Sequence, residues 1–152
     1  MSAPVIRKAE AGDLDSLVRL AGLLWPEAEE AELRQDFRAM TEAGDGALFL
    51  AAENGRDIGF AQCQLRHDYV EGTESSPVGY LEGIYVREGC RRRGTAKELL
   101  RRCEEWAARQ GCREFASDCE LTNAESLAFH LKAGFKEANR LICFTKPLQT
   151  KE

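Results

Sequence analysis

Three consecutive arginines stand beside a glycine at the point where an apolar stretch of the sequence gives way to an amphipathic one. The segment reads Arg91-Arg92-Arg93-Gly94-Thr95-Ala96, an R-x-x-G-x-A pattern between a predicted strand and a predicted helix. The first N–H groups of a helix lack intrahelical partners and carry partial positive charge, so an anion completes that end. Gly94 allows close approach to the backbone, and the arginines add forked donors suited to phosphate oxygens. The pattern predicts a phosphate-binding loop; the alternative is an ordinary turn with a solvated basic run.

Two carboxylates in consecutive predicted strands could move a proton or hold a cation. Glu82 interrupts the apolar strand predicted for residues 79–86 and is followed by Gly83. A glycine in mid-strand often marks a β-bulge or a place where a ligand approaches the backbone. The second carboxylate, Asp118, ends the next predicted strand. The alternatives are a salt-bridged or edge-exposed role for Glu82 and an N-cap or turn role for Asp118.

The elements that would position these residues alternate between strands and helices. Apolar spacing predicts strands at residues 5–9, 47–52, 58–65, 79–86, 114–118 and 139–146, and helices at 14–24, 27–40, 95–110 and 123–132. Asn54-Gly55 predicts a hairpin turn, and the polar connection at residues 66–77 is long enough to carry function. No linker, repeat or low-complexity segment interrupts the pattern, so we expect a single α/β domain over residues 1–152.

The composition is typical of an ordinary globular protein. The chain has 152 residues, of which 43% are apolar and 31% charged, which suits one domain with one core. No apolar run reaches the roughly 20 residues of a membrane span, and the segment after Met1 lacks a signal-peptide core, so we expect a cytoplasmic protein with no membrane partner. The net charge of −5 argues against a nucleic-acid partner and is compatible with a cationic substrate. Six scattered cysteines and two histidines indicate reduced thiols and no metal site.

Two motifs in the expected order resemble the GNAT superfamily of acetyl-CoA-dependent N-acetyltransferases, over about residues 5–146. They are the R-x-x-G-x-A loop and the helix end Phe129-His130-Leu131-Lys132-Ala133-Gly134-Phe135. A narrower resemblance, to aminoglycoside 6′-N-acetyltransferases, rests on several short segments. These are Leu24-Trp25-Pro26, Arg66-His67-Asp68-Tyr69-Val70, Ser75-Ser76-Pro77, Leu81-Glu82-Gly83-Ile84, Gly111-Cys112-Arg113-Glu114 and Ala116-Ser117-Asp118.

The resemblance implies a GNAT fold with acetyl-CoA as co-substrate. The fold would be a twisted, mixed, mostly antiparallel sheet flanked by about four helices, with the central strands at residues 79–86 and 114–118 splayed apart. The pyrophosphate would lie on the loop at residues 91–96. The pantetheine arm would pair with the backbone of Ile84, Tyr85 and Val86, and Asn123 and Lys132 would also contact the cofactor. The resemblance further implies a homodimer.

The chemistry implied by the resemblance is attack of an amine on a thioester. We favour Glu82 as the base and Asp118 as the ammonium anchor, although the two roles could be exchanged. His130 stands where much of the superfamily has a tyrosine; it could protonate the leaving sulfur or only pack against the cofactor, and solvent could supply that proton instead. The backbone N–H of Ile84 or Tyr85 is the expected donor to the developing oxyanion.

The acceptor pocket implied by the resemblance is lined by Trp25, Asp68 and Tyr69 together with the two candidate carboxylates; for Trp25 a place in the core is the alternative. The favoured function is acetylation of the 6′-amine of an aminoglycoside in a ternary complex, which would give antibiotic resistance. Two other functions stay open at this point. One is acetylation of a protein N-terminus, a lysine or another small amine, and the other is a non-catalytic acetyl-CoA sensor, in which Glu82 and Asp118 would be dispensable.

Overall fold

A computed structural model describes residues 3–151 of the chain. Met1, Ser2 and Glu152, the ends of the predicted single domain, lie outside the described residues. The chain divides into two compact units, the first ending at Asp118 and the second beginning at Cys119. In the described part of the chain, no helix has both the length and the apolar character needed to cross a membrane.

The first unit is built on a five-stranded sheet whose strands lie side by side in chain order. The strands are β1 (Val5–Lys8), β2 (Gly46–Glu53), β3 (Arg56–Arg66), β4 (Val78–Val86) and β5 (Phe115–Ser117). The first four pair antiparallel, and β5 pairs parallel to β4. The predicted mixed, mostly antiparallel sheet is therefore confirmed.

Three helices of the first unit cover the two faces of this sheet: α1 (Leu14–Leu24), α2 (Glu30–Ala43) and α3 (Thr95–Arg109). Successive side chains of a strand point to opposite faces. Leu48 and Leu50 of β2 accordingly pack with α1 and α2 in one hydrophobic cluster. Phe49 between them faces α3, where the guanidinium carbon of Arg102 lies 5.6 Å from its ring centroid.

Turn residues set most element boundaries as predicted. Asn54 and Gly55 have φ angles of 53° and 79°, the left-handed values that a two-residue hairpin turn requires. Helix α2 begins three residues later than expected, because Ala28 donates a backbone hydrogen bond of 3.0 Å to Trp25 and closes a turn first. It ends at Ala43, three residues after the predicted end, and Gly44 with a φ of 75° closes the helix.

The second unit contains one helix and a C-terminal extended segment. Helix α4 (Ala124–Lys132) begins after Asn123, whose Oδ1 accepts a hydrogen bond of 3.0 Å from the N–H of Ser126. The prediction of a strand at residues 139–146 is wrong, since residues 135–151 form neither helix nor strand. The alternating apolar residues suit a strand, but a strand forms only where a neighbour satisfies its backbone groups. Within residues 3–151, no strand pairs with this segment.

Candidate active site

A β-bulge in β4 sets the direction of Glu82. In the pairing with β3, Gln62 lies opposite Gly83, whereas Cys63 lies opposite Leu81, so Glu82 is an additional residue in β4. An extra residue of this kind bends the strand and re-aims a side chain. The irregularity predicted from Gly83 is therefore present, and the residue that it displaces is the candidate carboxylate.

The group that approaches the backbone of Gly83 is the indole of Trp25. A Cβ atom on Gly83 would lie 2.6 Å from two ring carbons of that indole. Trp25 follows the last residue of α1 and also packs edge-on against Phe60, with ring centroids 6.1 Å apart and an interplanar angle of 73°. One side of Trp25 thus belongs to the core, and the residue also forms part of a cavity wall.

The cavity beside the bulge has a volume of about 640 Å³ and gathers four of the five predicted acceptor residues, Trp25, Asp68, Tyr69 and Glu82. The fifth, Asp118, is not among the residues that line it. A volume of this size accommodates a drug-sized ligand. The structure therefore brings together residues that are up to 57 positions apart in sequence.

A third carboxylate in the cavity, Asp36 of α2, was missed by the sequence analysis. It directly precedes Phe37, which is buried in the core, and the available signal was this position beside the apolar face of a predicted helix. With Asp68 and Glu82, Asp36 gives the cavity three acidic side chains against one arginine, Arg66. Such a lining attracts a cationic ligand.

The two candidate carboxylates are both bound to one arginine–tyrosine stack. Arg66 donates hydrogen bonds of 2.8 to 3.2 Å to the two oxygens of Glu82. Its guanidinium carbon lies 3.5 Å from the ring centroid of Tyr80, and the Tyr80 hydroxyl donates a hydrogen bond to Asp118. The sequence alone assigned no role to Arg66 or Tyr80. The available signals were that Arg66 begins one of the segments that carry the resemblance and that Tyr80 precedes Glu82 by two residues on the same strand.

The Tyr80 phenol serves as a hydrogen-bond donor. Burial raises its pKa, and the hydrogen bond to Asp118 and the negative charge of Asp118 raise the pKa further. The phenol therefore keeps its proton at neutral pH, and its hydrogen bond fixes the position of the Asp118 carboxylate.

The predicted phosphate loop ends at a helix N-terminus with a buried, unpaired hydroxyl. Gly94, with a φ of 81°, precedes the 15-residue helix α3, and Arg92 also has a left-handed φ of 66°. The Thr95 hydroxyl is buried, and within residues 3–151 it has no hydrogen-bond partner. Buried polar groups are normally paired, so this hydroxyl and the free N–H groups of the helix fit an anion such as phosphate.

The arginines of this loop differ in their contacts. Arg91 donates from Nε to the carbonyl oxygen of Val86 at 2.7 Å, which ties the loop to the end of β4. Arg93 pairs with Glu53 at 2.9 Å. These two contacts therefore shape the loop, and all three arginines are exposed.

The edge of β4 that faces away from β3 is open over its second half. The register with β5 covers β4 only from Gly79 to Leu81 in the described chain. This short pairing agrees with the expected splaying of the two strands and leaves the stretch 82–86 without a strand on that side among residues 3–151.

The register also distinguishes the backbone groups along this stretch. The N–H of Arg87 donates to the carbonyl of Ile58 in β3 at 2.7 Å. Residues two apart on a strand point their backbone groups to the same side, so Tyr85 faces β3 as well. Ile84 and Val86 face the open edge. Of the two expected oxyanion donors, the register therefore favours Ile84 over Tyr85. The backbone groups of Tyr85 also do not point toward a ligand on the open edge.

The remaining predicted residues, His130, Asn123 and Lys132, lie in the second unit. His130 Nδ1 is 2.7 Å from the carbonyl oxygen of Ser126, and it must carry a proton because a carbonyl only accepts. A neutral ring in this tautomer has no proton on Nε2, so His130 can donate from Nε2 only as the imidazolium. Asn123 uses its side-chain oxygen as the cap of α4, and Lys132 is exposed at the other end of that helix.

Comparison with known proteins identifies the family of this chain. The model of the acetyltransferase (GNAT) family matches residues 14–135. The chain is 42% identical over 149 residues to an aminoglycoside N(6′)-acetyltransferase type 1 of Stenotrophomonas maltophilia, covering 97% of this chain and 96% of that protein. It is 39% identical over 137 residues to the enzyme of the same name from Serratia marcescens, covering 90% and 94% of the two chains.

Solved structures give the same result. The structure of AAC(6′)-Iy in complex with the bisubstrate analogue CoA-S-monomethyl-acetylneamine superposes with a TM-score of 0.93 at 38% identity, covering 97% of this chain and 100% of that one. The apo structure of AAC(6′)-Ig from Acinetobacter haemolyticus has a TM-score of 0.89 at 36% identity, covering 95% and 99%. The chain belongs to the acetyltransferase (GNAT) family, and the resemblance seen in its motifs is confirmed.

Proposed function

We propose that this chain transfers the acetyl group of acetyl-CoA to the 6′-amine of aminoglycoside antibiotics in a ternary complex, and so confers resistance. The observation that carries the proposal is the acidic cavity, which gathers Trp25, Asp68, Tyr69 and Glu82 beside the bulge of β4. The names of the relatives, at about 40% identity over almost the whole chain, support the same substrate.

Acceptor binding is proposed to rest on the carboxylates of the cavity. An aminoglycoside carries several ammonium groups, and Asp36, Asp68 and Glu82 provide opposite charge in a partly enclosed space. The indole of Trp25 and the exposed ring of Tyr69 supply flat surfaces for the sugar rings and the cations. Holding the amine in place supplies most of the acceleration, because acyl transfer between two bound substrates is limited by their alignment.

Proton transfer is assigned to the two carboxylates bound to the Arg66–Tyr80 stack. The amine must lose a proton before it can attack, and we propose Glu82 as the acceptor and Asp118 as the ammonium anchor. Oε1 of Glu82 accepts one hydrogen bond from Arg66 and Oε2 accepts two, so Oε1 keeps a lone pair for a proton or an ammonium N–H. On the leaving-group side, protonated His130 could supply the proton to sulfur, as proposed from the sequence.

Acetyl-CoA, when bound, supplies the activated thioester. The Thr95 hydroxyl, the N–H groups at the start of α3 and the exposed Arg92 are proposed to hold its pyrophosphate, with Gly94 and Ala96 leaving space. The outward backbone groups of Ile84 and Val86 are proposed to pair with the pantetheine arm in the manner of an added strand. Asn123 and Lys132 remain proposed cofactor contacts.

Three further features belong to the proposal. The two units are proposed to act as one acetyltransferase domain, which is supported by a family match that continues from residue 14 to residue 135. A homodimer is proposed because the C-terminal segment exposes Leu141, Ile142, Phe144 and Leu148 by 67 to 87%, and a second copy would cover them. The cytoplasm is the proposed compartment, since acetyl-CoA and the ribosomal RNA target of the drugs are found there.

The test is product analysis after incubation with acetyl-CoA and an aminoglycoside that carries a 6′-amine. Mass spectrometry and NMR should find one acetyl group on the 6′ nitrogen, and acetylation of a different amine would contradict the assignment. Glu82→Gln and Asp118→Asn should each lower the rate at least tenfold, about 1.4 kcal/mol of barrier. If both variants stay within about threefold of the wild type, neither carboxylate is the essential base.

A further inference from the structure

We infer that Arg66 is a positioning residue for this reaction, whose guanidinium, held by the ring of Tyr80, fixes the carboxylate of Glu82 in its working orientation. The inference rests on the proposed function, because Glu82 receives its role there. It adds Arg66, a cationic residue, to the site in a cavity that is proposed to bind a cationic substrate.

The contact between Arg66 and Glu82 constrains the whole carboxylate. Nη2 donates to Oε1 at 2.8 Å and to Oε2 at 3.0 Å, and Nε donates to Oε2 at 3.2 Å. A planar guanidinium that donates hydrogen bonds to both oxygens fixes the plane of the carboxylate, which a single point charge cannot do. Rotation of the Glu82 side chain therefore requires these bonds to break.

The guanidinium is itself held from the side. Its central carbon lies 3.5 Å from the ring centroid of Tyr80, a stacking distance at which the cation is attracted to the ring face. Tyr80 is only 6% exposed, and its hydroxyl is bound to Asp118, so the ring is a fixed support. Arg66 ends β3, while Tyr80 and Glu82 lie on the paired strand β4, so the three groups sit on paired strands of one sheet.

The exposures of the two partners fit a working group rather than an ordinary surface ion pair. The Glu82 side chain retains 18% of its exposure and the Arg66 side chain 40%. A substrate can therefore reach Glu82, while the pair is less screened by water than a fully exposed one. Because Oε2 accepts two of the three hydrogen bonds from Arg66, Oε1 is the oxygen left for the substrate.

Steady-state kinetics of Arg66 variants test the inference. Arg66→Gln should lower kcat with the 6′-amine substrate about tenfold or more, while the KM for acetyl-CoA stays within about twofold. Arg66→Lys keeps the charge but loses the fork, so it should remain at least about fivefold below the wild type. Arg19→Gln is the matched control, because Arg19 pairs at 2.9 Å with Asp57, a carboxylate 12% exposed and outside the cavity; its kcat should stay within about twofold.

A double-mutant cycle separates positioning from a general effect on the fold. If Arg66 acts through Glu82, Arg66→Gln introduced into Glu82→Gln should cost less than about twofold in kcat, because nothing remains to be oriented. A full tenfold loss in that background would overturn the inference.

A second readout does not depend on turnover. In a crystal structure of Arg66→Gln, the Glu82 carboxylate should leave its wild-type position, and an unchanged carboxylate would overturn the inference. The two proposals fail in different ways. If the wild-type enzyme does not acetylate a 6′-amine, the proposed function is contradicted, and the crystal structure of Arg66→Gln still tests the positioning role. If the wild type is active and the kcat of Arg66→Gln stays within about twofold of it, only the positioning role is contradicted.

Discussion

The indole of Trp25 lies so close to the backbone of Gly83 that a Cβ atom there would be 2.6 Å from the ring. Gly83→Ala must therefore move Trp25 and with it one wall of the acceptor cavity. We expect a loss of about 1–3 kcal/mol in the free energy of unfolding, as for an overpacked core, and a higher KM for the amine substrate. Chemical denaturation and steady-state kinetics measure the two effects.

Gly22→Ala is the matched control for that substitution. Gly22 lies in α1, the helix that leads to Trp25, and a Cβ there would meet no atom within 4 Å. Alanine in a helix interior should stabilise the protein by about 0.5–1 kcal/mol relative to glycine. Wild-type stability and KM in Gly83→Ala would show that the indole is not held against the bulge.

Removal of the Thr95 hydroxyl should have opposite effects on stability and on cofactor binding. Thr95→Val removes a buried hydroxyl that has no partner in the described chain, so the free energy of unfolding should be unchanged or higher. The KM for acetyl-CoA should rise about fivefold, roughly the 1 kcal/mol of one hydrogen bond to phosphate. Thr41→Val is the control, since that hydroxyl already donates to the carbonyl of Phe37 at 3.0 Å. An unchanged KM in Thr95→Val would remove Thr95 from the phosphate site.

The raised pKa of Tyr80 predicts a loss of stability at alkaline pH. Above about pH 10 the unfolded chain releases this phenolic proton, whereas the folded chain, in which burial and Asp118 oppose the charged form, retains it. The unfolded state then binds fewer protons than the folded state, so the free energy of unfolding falls as pH rises through this range. Thermal melting between pH 8 and about pH 11 should show this decline, and in Tyr80→Phe its slope should be smaller. Equal slopes in the two proteins would contradict the raised pKa.

The C-terminal segment predicts the oligomeric state. Ile142 and Phe144 are 82% and 87% exposed, and the double variant Ile142→Asp/Phe144→Asp should dissociate a dimer that sedimentation velocity finds for the wild type. Leu23→Asp is the control, because Leu23 is also exposed, by 48%, but lies in α1. A wild-type chain that sediments as a monomer at micromolar concentration would contradict the dimer.

The sequence predicted well what local signals determine. Asn54-Gly55 predicted the hairpin, and Gly83 predicted the bulge. The apolar stripe of α3 predicted the buried face of that helix from Leu99 to Ala107. Each of these follows from the conformational preference or the periodicity of a few neighbouring residues.

The sequence could not predict what depends on contacts between distant residues. Arg66 and Glu82 are 16 residues apart, and Tyr80 and Asp118 are 38 apart, so the network exists only because β3, β4 and β5 pair in one register. The strand expected at residues 139–146 failed for the same reason: its pattern is local, but its partner is not.

The rate of thiol release from acetyl-CoA with paired acceptors is the sharpest test of acetyl transfer to the 6′-amine. Two aminoglycosides that differ only in a 6′-amine or a 6′-hydroxyl are compared with a lysine-bearing peptide. We expect a kcat/KM for the 6′-amine compound at least about a hundredfold above that of each of the other two acceptors, a difference of about 2.7 kcal/mol. Equal rates with the 6′-hydroxyl compound, or faster release with the peptide, would contradict it.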